Sequence, residues 1–371
     1  MKVLITGENG FIAKNLKIFL KERSDIKILK YSKNNKTSEL VDIIDKVDFI
    51  FHLAGVNRSE NLQDFTIGNE NLTYELCEAI RKANKKIPVI YSSSIQADLD
   101  NPYGVSKHKA ENLLFNLEKE EDNPVYIYRL PNVFGKWCKP NYNSVVATFC
   151  YNISRDIPIN IDNQEDLITL VYIDDVINDF VMIMDNLKKK SETDNYQSVS
   201  PLYNITVGNL AKQLYAFKEI RNSNIIERVG KGLIRALYST YISYLPKKQF
   251  SYSLKAHKDQ RGSFVEMLKT PDCGQFSCFT ILPNVTRGDH YHHSKTEKFL
   301  VINGNALFKF YNLNTLETYE IKVNGDNPEI VESIPGWAHN ITNIGKEEIT
   351  VMLWANEIFD NSKPDTYKNK I

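Results

Sequence analysis

Short runs of consecutive apolar residues alternate with segments of helical periodicity through the N-terminal half of the chain. The strand-like runs are Lys2–Thr6, Lys27–Tyr31, Phe49–Leu53, Val89–Ser93 and Val125–Arg129. The helical segments between them are Lys14–Lys21, Ser38–Ile44, Glu70–Ala83 and Lys107–Leu117. This alternation predicts βαβ units, and therefore an α/β fold in which a doubly wound parallel sheet of the Rossmann type carries helices on both faces.

A different pattern begins after about residue 245. Leu245–Lys248 has the composition of a linker, and short segments with frequent turn signals follow it. Val301–Phe310 and Thr350–Trp354 alternate apolar and polar residues at period two, which is typical of half-buried strands. We therefore expect two domains, an α/β domain over residues 1–245 and an all-β sandwich or jelly-roll barrel over residues 246–371.

One turn in the second domain has a specific signature. Asn303-Gly304 lies between the strand-like runs Phe299–Ile302 and Ala306–Tyr311. Asn-Gly accepts the positive φ angles of a type I′ turn, so this pattern predicts a β-hairpin.

Composition argues against several classes of protein. Among 371 residues, Lys and Arg number 46 and Asp and Glu number 46, so the formal charge is zero, unlike that of a strongly basic nucleic-acid binder. The sequence contains no signal-peptide pattern and no run of about 18 apolar residues, so we expect no membrane span. The five cysteines form no CxxC motif and are odd in number, which is typical of reduced residues in a cytoplasmic protein.

A glycine-containing turn follows the first predicted strand. Gly7–Ala13 opens the first predicted helix. Glycines allow backbone N–H groups to approach a pyrophosphate closely, and the helix N-terminus adds a partial positive charge. The spacing Gly-x-x-Gly-x-x-Ala is looser than the usual dinucleotide fingerprint, so the prediction depends on the strand before it and the helix after it. The expected cofactor-binding residues of this turn are Gly7, Asn9, Gly10, Phe11 and Ile12.

The ends of the next two strands indicate which cofactor binds. The second strand runs into Ser32 and Lys33, without the carboxylate that usually binds the ribose 2′-hydroxyl of NAD. These two residues could contact a 2′-phosphate, so we expect NADPH, although Lys33 alone could equally be a solvated lysine. Leu53, Ala54 and Gly55 end the third strand and would let the cofactor pass closely, unless they form a simple strand–loop transition.

Tyr103 and Lys107 form a Tyr-x-x-x-Lys pair, which lies on one face of a helix. An ammonium beside a phenol favours the phenolate and lowers the pKa of the tyrosine, which makes it a usable general acid or base for a carbonyl/alcohol couple. Ser92–Ser94 ends the preceding strand, where a hydroxyl could hydrogen-bond the carbonyl oxygen.

Taken together, these motifs resemble the extended short-chain dehydrogenase/reductase family, in its nucleotide-sugar-modifying branch. The resemblance covers roughly residues 1–240. Further matches are Asn71, Arg129–Gly135 and Val171–Val176. It implies that Tyr103 donates the proton, Lys107 orients the ribose and tunes Tyr103, and Ser94 polarises the ketone. Ser92, Tyr103 and Lys107 are also implied cofactor contacts. The chain departs from the family pattern at Ala13 and at Gln96-Ala97.

A second set of chemical residues lies in the all-β region. His290 and His292 alternate on a predicted strand and point to one face, while Glu297 and His339 follow on later strands. Imidazoles with a carboxylate suit a divalent transition metal such as Zn²⁺, Fe²⁺, Mn²⁺ or Ni²⁺. The pattern resembles the cupin family, which implies a metal held by these four residues, with Zn²⁺ expected.

An overlapping pattern, Asp259–Glu266 with Arg287–His290, resembles the metal-free 3,5-epimerases of keto-deoxy-sugar nucleotides. In that resemblance His290 is a base, so its role as ligand or base stays open.

The whole chain resembles bifunctional capsular-polysaccharide enzymes that fuse an extended reductase to a cupin. The resemblance implies a homodimer in which the cupin epimerises C3 of a UDP-2-acetamido-2,6-dideoxy-4-keto-hexose. The reductase then reduces the C4 ketone with NADPH to UDP-2-acetamido-2,6-dideoxy-L-talose, on the pathway to N-acetyl-L-fucosamine. The main alternative is a monofunctional NADPH-dependent 4-keto-sugar reductase with a structural or dimerising cupin. A dehydratase or 4-epimerase is disfavoured by the missing acid on the second strand, and a non-catalytic sensor by the intact Ser94, Tyr103 and Lys107 set.

Overall fold

The structure, a computed structural model, describes residues 1–31, 37–186 and 195–371. The chain divides into two compact units. The first comprises Met1–Tyr215 and Gly232–Pro246, and the second comprises Ala216–Lys231 and Lys247–Ile371. The division therefore lies one residue from the expected boundary at residue 245, and segment 216–231 additionally belongs to the second unit.

The first unit alternates strands and helices. Its strands are β1 (Lys2–Thr6), β2 (Lys27–Tyr31), β3 (Phe49–His52), β4 (Val89–Ser94), β5 (Val125–Leu130), β6 (Asn132–Phe134), β7 (Leu167–Tyr172), β8 (Tyr196–Gln197) and β9 (Tyr203–Thr206). Its helices are α1 (Phe11–Lys21), α2 (Thr37–Ile44), α3 (Gln63–Phe65), α4 (Leu72–Ala83), α5 (Pro102–Glu121), α6 (Val145–Ile153), α7 (Ile173–Met184), α8 (Val207–Ser223), which continues into the second unit, and α9 (Gly232–Ser243). A π-helical turn, Thr66–Asn71, precedes α4.

Within the described residues, six strands form one parallel sheet in the order β2-β1-β3-β4-β5-β8. Its central strands contain consecutive buried apolar residues, at positions 3–5 of β1 and 49–51 of β3, because helices cover both faces of such a sheet. Leu4, Ile50 and Val89 are fully buried and pack with Leu76 and Leu114 from α4 and α5. The predicted Rossmann-type α/β fold is confirmed. A smaller sheet in the order β6-β7-β9 accompanies it.

The second unit consists mainly of antiparallel strands. They are β10 (Ala256–Asp259), β11 (Gly262–Thr270), β12 (Gly274–Ile281), β13 (Thr286–Tyr291), β14 (Glu297–Asn303), β15 (Asn305–Asn312), β16 (Thr318–Asn324), β17 (Ile330–Glu332), β18 (Trp337–Asn343), β19 (Ile349–Ala355) and β20 (Tyr367–Lys368). Two sheets result, in the orders β10-β11-β12-β19-β14-β17 and β16-β15-β18-β13-β20. Phe279, Phe299 and Val351 from one sheet pack against Phe308 and Ile341 from the other. The predicted all-β, cupin-like second fold is confirmed.

The hairpin predicted at Asn303-Gly304 is wrong. Gly304 adopts the expected positive φ of 77°, but β14 pairs with β17 and β19, whereas β15 pairs with β16 and β18. The turn therefore carries the chain from one sheet to the other. Buried Val301 and Ala306 both face the core between the sheets, and period-two alternation is the same whether two strands pair edge to edge or face each other across a core.

No helix in the described ranges is both long and apolar enough to cross a membrane.

Candidate active site and metal centre

The glycine turn joins β1 to α1 at the carboxyl edge of the parallel sheet. Gly7 has a φ of 68°, and a Cβ atom there would lie 2.6 Å from the Cα atom of Ala54. Only glycine accommodates both constraints, so the turn packs directly on the end of β3. Gly10 is the N-cap residue of α1, and its lack of a side chain leaves the first N–H groups of the helix for an anion. This arrangement fits the phosphates of a dinucleotide.

The end of β3 is held by a buried hydrogen-bond chain. The backbone N–H groups of Leu53 and Ala54 donate to Thr6 Oγ1. Thr6 Oγ1 lies 2.8 Å from Nδ1 of His52, and Nε2 of His52 lies 2.9 Å from Thr73 Oγ1. Burial, with the charge of Lys107, lowers the pKa of His52 to about 3, so this imidazole is neutral and structural at physiological pH.

Thr73 fixes the tautomer of His52. The Thr73 hydroxyl donates to the backbone oxygen of Asn69 at 2.6 Å, so towards His52 it accepts. His52 therefore carries its proton on Nε2 and accepts from Thr6 at Nδ1.

Ser94 and Tyr103 lie close to each other, Ser94 at the end of β4 and Tyr103 at the start of α5. Ser94 is the last residue of β4, and Tyr103 is the second residue of α5. Burial raises the pKa of Tyr103, and a hydrogen bond with Ser94 partly opposes the rise. The phenol therefore stays protonated at neutral pH, which is the form that can donate a proton to a ketone.

Lys107 does not lower the pKa of Tyr103 as the sequence led us to expect. Its buried Nζ donates to the backbone oxygen of Ser92 at 2.8 Å and to the hydroxyl of Tyr91 at 3.2 Å. Burial lowers the pKa of Lys107 to about 8, while the charge of Glu111 opposes this. The Lys107 ammonium therefore forms its hydrogen bonds with two residues of β4. A Cβ atom at Gly55, just beyond β3, would lie 2.8 Å from Oδ1 of Asn69 and 3.2 Å from Nζ, so the chain passes close to both side chains there.

Glu111, one turn beyond Lys107 on α5, is a buried charge that the sequence analysis missed. Its carboxylate accepts from the guanidinium of Arg129 at 2.6 and 3.0 Å and from the Ser93 hydroxyl at 2.5 Å. Arg129 also donates to exposed Asp98 and stacks on the ring of Tyr196, 3.9 Å from its centroid. The signal available in the sequence was the spacing of four from Lys107, which puts an acid on the same helix face.

A cleft of about 290 Å³ lies at the end of β5 and is lined in part by Arg129, Leu130, Tyr196 and Leu202. Open α/β sheets bind ligands outside the carboxyl ends of their strands, and this cleft lies at that edge. Ser32 and Lys33, the residues expected to select NADPH, lie outside the described residues.

The structure brings together all four residues of the predicted metal set. Ligand atoms of His290, His292, Glu297 and His339 lie within 4.8 Å of one another. His290 on β13 pairs in register with His339 on β18, while Glu297 begins β14 in the opposite sheet. A β-bulge at Gly288, where φ is 106°, interrupts the β13–β18 register between Gly288 and His290.

Hydrogen-bond acceptors converge at the centre of this cluster. His292 Nδ1 and His339 Nδ1 each face a backbone carbonyl and therefore carry the proton when the rings are neutral. Their Nε2 lone pairs then point at Glu297 Oε2 from 3.1 and 3.3 Å. His290 Nε2 is buried without a hydrogen-bond partner among the described residues. In this arrangement Nε2 of His292, Nε2 of His339 and Oε2 of Glu297 are all hydrogen-bond acceptors, so they repel one another unless a cation lies between them.

The distances from Glu297 Oε2 to Nε2 of His292 and Nε2 of His339, 3.1 and 3.3 Å, are close to those of a metal site, whereas ligand atoms elsewhere in the cluster lie up to 4.8 Å apart. Ligand atoms of a tetrahedral Zn²⁺ site, each about 2.1 Å from the ion, lie about 3.4 Å apart. Burial lowers the pKa of His290 to about 4, so this ring is neutral, as a ligand must be. Although burial opposes the ionisation of Glu297, its pKa lies well below its usual range, and the ammonium of Lys295, 3.3 Å from Oε1, favours the carboxylate. The donor set is three imidazoles and one carboxylate.

Comparison with known proteins gives a consistent result. Residues 3–198 match the NAD dependent epimerase/dehydratase family, and residues 257–367 match the polysaccharide biosynthesis C-terminal domain. A UDP-2-acetamido-2,6-beta-L-arabino-hexul-4-ose reductase from Pseudomonas aeruginosa is 58% identical over 367 residues, which cover 99% of this chain and 98% of that protein. The crystal structure of the capsular polysaccharide assembling protein CapF from Staphylococcus aureus has a TM-score of 0.93 and 42% identity, with 100% of both chains covered.

A more distant likeness concerns the fold alone. The crystal structure of a UDP-glucuronic acid 4-epimerase from Bacillus cereus is 17% identical, covers 68% of this chain and 100% of its own, and has a TM-score of 0.55. The chain belongs to the NAD dependent epimerase/dehydratase family and, within it, to the CapF-like group.

Proposed function

We propose that this protein is a bifunctional nucleotide-sugar enzyme. Its second domain epimerises C3 of a UDP-2-acetamido-2,6-dideoxy-4-keto-hexose, and its first domain reduces the C4 ketone with NADPH to UDP-2-acetamido-2,6-dideoxy-L-talose. The observation that carries the proposal is a protonated Tyr103 beside Ser94, on the same chain as a buried cluster of three histidines and a glutamate. The full-length likeness to a UDP-sugar 4-keto reductase supports the substrate class.

The reduction uses three residues in distinct roles. A bound nicotinamide cofactor supplies the hydride that reduces the C4 carbon. Ser94 hydrogen-bonds the ketone oxygen, and Tyr103 donates its phenolic proton to that oxygen as the alcohol forms. Lys107 holds a positive charge beside Gly55, at the end of β3 that the cofactor would pass, and solvent returns the proton to Tyr103.

The order of the two steps follows from carbon acidity. A proton on C3 is acidic only while C4 is a ketone, because the resulting carbanion delocalises onto the ketone oxygen. Reduction removes this activation, so epimerisation comes first and the reductase consumes the epimerised ketone.

The metal centre is assigned to His290, His292, Glu297 and His339, with Zn²⁺ as the proposed ion. A bound divalent cation supplies a fixed positive charge that stabilises developing negative charge. Nε2 of His290 has no hydrogen-bond partner in the described part of the chain, which favours a ligand role over a base role, because metal binding would satisfy its lone pair. The same ion would also tie the two sheets together, since Glu297 lies in the sheet opposite His290 and His339.

The alternative is a reductase alone, with a structural or dimerising second domain. The name of the Pseudomonas aeruginosa relative, which describes a reductase and no epimerase, favours this alternative. NADPH rather than NADH, a homodimer and a cytoplasmic location remain predictions from the sequence.

The reductase assignment is tested by the oxidation of NADPH in the presence of the UDP-4-keto sugar. We expect Tyr103→Phe to lower kcat by about 10²- to 10⁴-fold, because it removes the general acid. Its affinity for NADPH, measured by fluorescence, should be unchanged. Tyr74→Phe, at a half-exposed position on α4, is the matched control and should be fully active. A parent protein that binds NADPH but never oxidises it with this substrate would refute the reductase assignment.

A further inference from the structure

The loop that joins the two metal-bearing strands is closed by a residue from the C-terminal tail. Residues 292–296 connect β13 to β14, with His292 at the start of the loop and Glu297 directly after it. The Asp365 carboxylate accepts from the backbone N–H groups of His293, Ser294 and Lys295 at 2.7 to 2.8 Å. It also accepts from the Ser294 hydroxyl at 2.9 Å.

Asp365 also contacts a ligand directly through its main chain. Its backbone oxygen accepts from Nδ1 of His292 at 2.5 Å. A carbonyl oxygen can only accept, so it holds the proton on Nδ1 and leaves Nε2 of His292 directed at Glu297. One residue thus fixes both the loop and the tautomer of a ligand within it.

The tail around Asp365 is anchored on the strand that carries the third ligand. Tyr367 and Lys368 form β20, which pairs with Tyr291 and His290 on β13. The backbone N–H of Asn369 donates to the backbone oxygen of Asp289. The residues that follow Asp365 are therefore fixed along β13.

We propose that Asp365 is a positioning residue for the metal centre, acting through the 292–296 loop and the Nδ1 atom of His292. This inference rests on the metal centre assigned under the proposed function. The Asp365 carboxylate accepts four hydrogen bonds, all from the short loop between His292 and Glu297. Without these hydrogen bonds, we expect the loop to move and to turn the His292 side chain away from Glu297. The ligand atoms of the metal-free protein are then no longer positioned for metal binding.

The test uses substitutions that remove the carboxylate in steps. Asp365→Ala removes all four side-chain hydrogen bonds, and Asp365→Asn keeps the shape but places an amide donor against backbone donors. Ser294→Ala removes a single hydrogen bond. Asp360→Ala is the matched control, because this aspartate lies on the same tail and accepts two hydrogen bonds from Ser362, away from the ligands.

The measurement is the affinity of the metal-stripped full-length protein for Zn²⁺, in competition with a chromophoric chelator. Residues that orient ligands typically contribute about 10- to 100-fold to metal affinity, so we expect a loss of this size for Asp365→Ala. Ser294→Ala and Asp365→Asn should fall between this variant and the parent, and Asp360→Ala should match the parent. The visible absorption of bound Co²⁺ should also change in Asp365→Ala, because it reports ligand geometry.

Three outcomes would overturn the inference, and they differ in what else they overturn. If Asp365→Ala lowers the thermal midpoint of the metal-free protein but keeps the parent's Zn²⁺ affinity, Asp365 is merely structural and the metal centre stands. If Asp365→Ala fails to fold while Asp365→Asn and Ser294→Ala both bind Zn²⁺ as the parent does, the inference also fails. If the parent itself binds neither Zn²⁺ nor Co²⁺, the metal centre and the inference fail together.

Discussion

Glu111→Gln removes the negative charge from the buried network beside Lys107. Glu111 is fully buried, and two N–H groups of Arg129 donate to it. The glutamine can still accept one hydrogen bond from Arg129, but it turns an amide donor toward the guanidinium or toward Ser93. Among the residues that the structure describes, exposed Asp98 is then the remaining ionic partner of Arg129.

The expected cost follows from the burial of the pair. Breaking a buried ion pair on one side typically costs about 3–5 kcal/mol. Arg129 keeps Asp98 and its stacking on Tyr196, so we take the lower end, about 3 kcal/mol. In a unit of this size each kcal/mol lowers the thermal midpoint by about 2–4 °C, which gives a fall of about 6–12 °C.

The assay is thermal unfolding of the full-length protein, followed by circular dichroism at fixed protein concentration. Glu120→Gln on the same helix is the matched control, because Glu120 is exposed and pairs with Arg81 at the surface. We expect it to change stability by less than about 1 kcal/mol, as exposed ion pairs do. If Glu111→Gln unfolds at the same temperature as Glu120→Gln, the buried network is not a major source of stability.

Three further predictions concern Lys107, Gly7 and the metal centre. Burial lowers the pKa of Lys107 to about 8, so its charge is present below that pH, and kcat/KM for reduction should fall as the pH rises through about 8. Gly7→Ala forces a Cβ atom to within 2.6 Å of Ala54 at a φ of 68°, so it should cost about 1–3 kcal/mol of stability and weaken NADPH binding, measured by calorimetry. Chelation should lower the thermal midpoint of the second unit and leave NADPH binding unchanged, whereas equal effects on both would contradict a metal confined to the second domain.

The features that sequence predicted well are those encoded locally. The strand, glycine turn and helix at the N-terminus are contiguous, so their pattern alone indicates the turn around Gly7. The apolar runs of a parallel sheet are also easily recognised in a sequence, because both faces of the sheet are buried. The metal set could be proposed because His290, His292 and Glu297 lie within eight residues.

What the sequence could not provide is the choice among partners that are distant along the chain. Lys107 donates to Tyr91 and Ser92, not to Tyr103, because the packing of α5 against β4 determines which polar atoms its ammonium reaches. Asp365 follows His292 by 73 residues, and no spacing rule links an aspartate in a C-terminal tail to a metal loop.

The central claim is that two chemistries on one sugar share this chain, and exchange at C3 tests it most directly. The measurement is proton NMR of the UDP-4-keto-6-deoxy-N-acetylhexosamine in D₂O, with enzyme and without NADPH. The account predicts that the C3 proton signal disappears with the parent and with Tyr103→Phe, but persists with Glu297→Gln. A C3 signal that persists with the parent, although the same preparation oxidises NADPH with this substrate, would make the protein a 4-keto reductase alone.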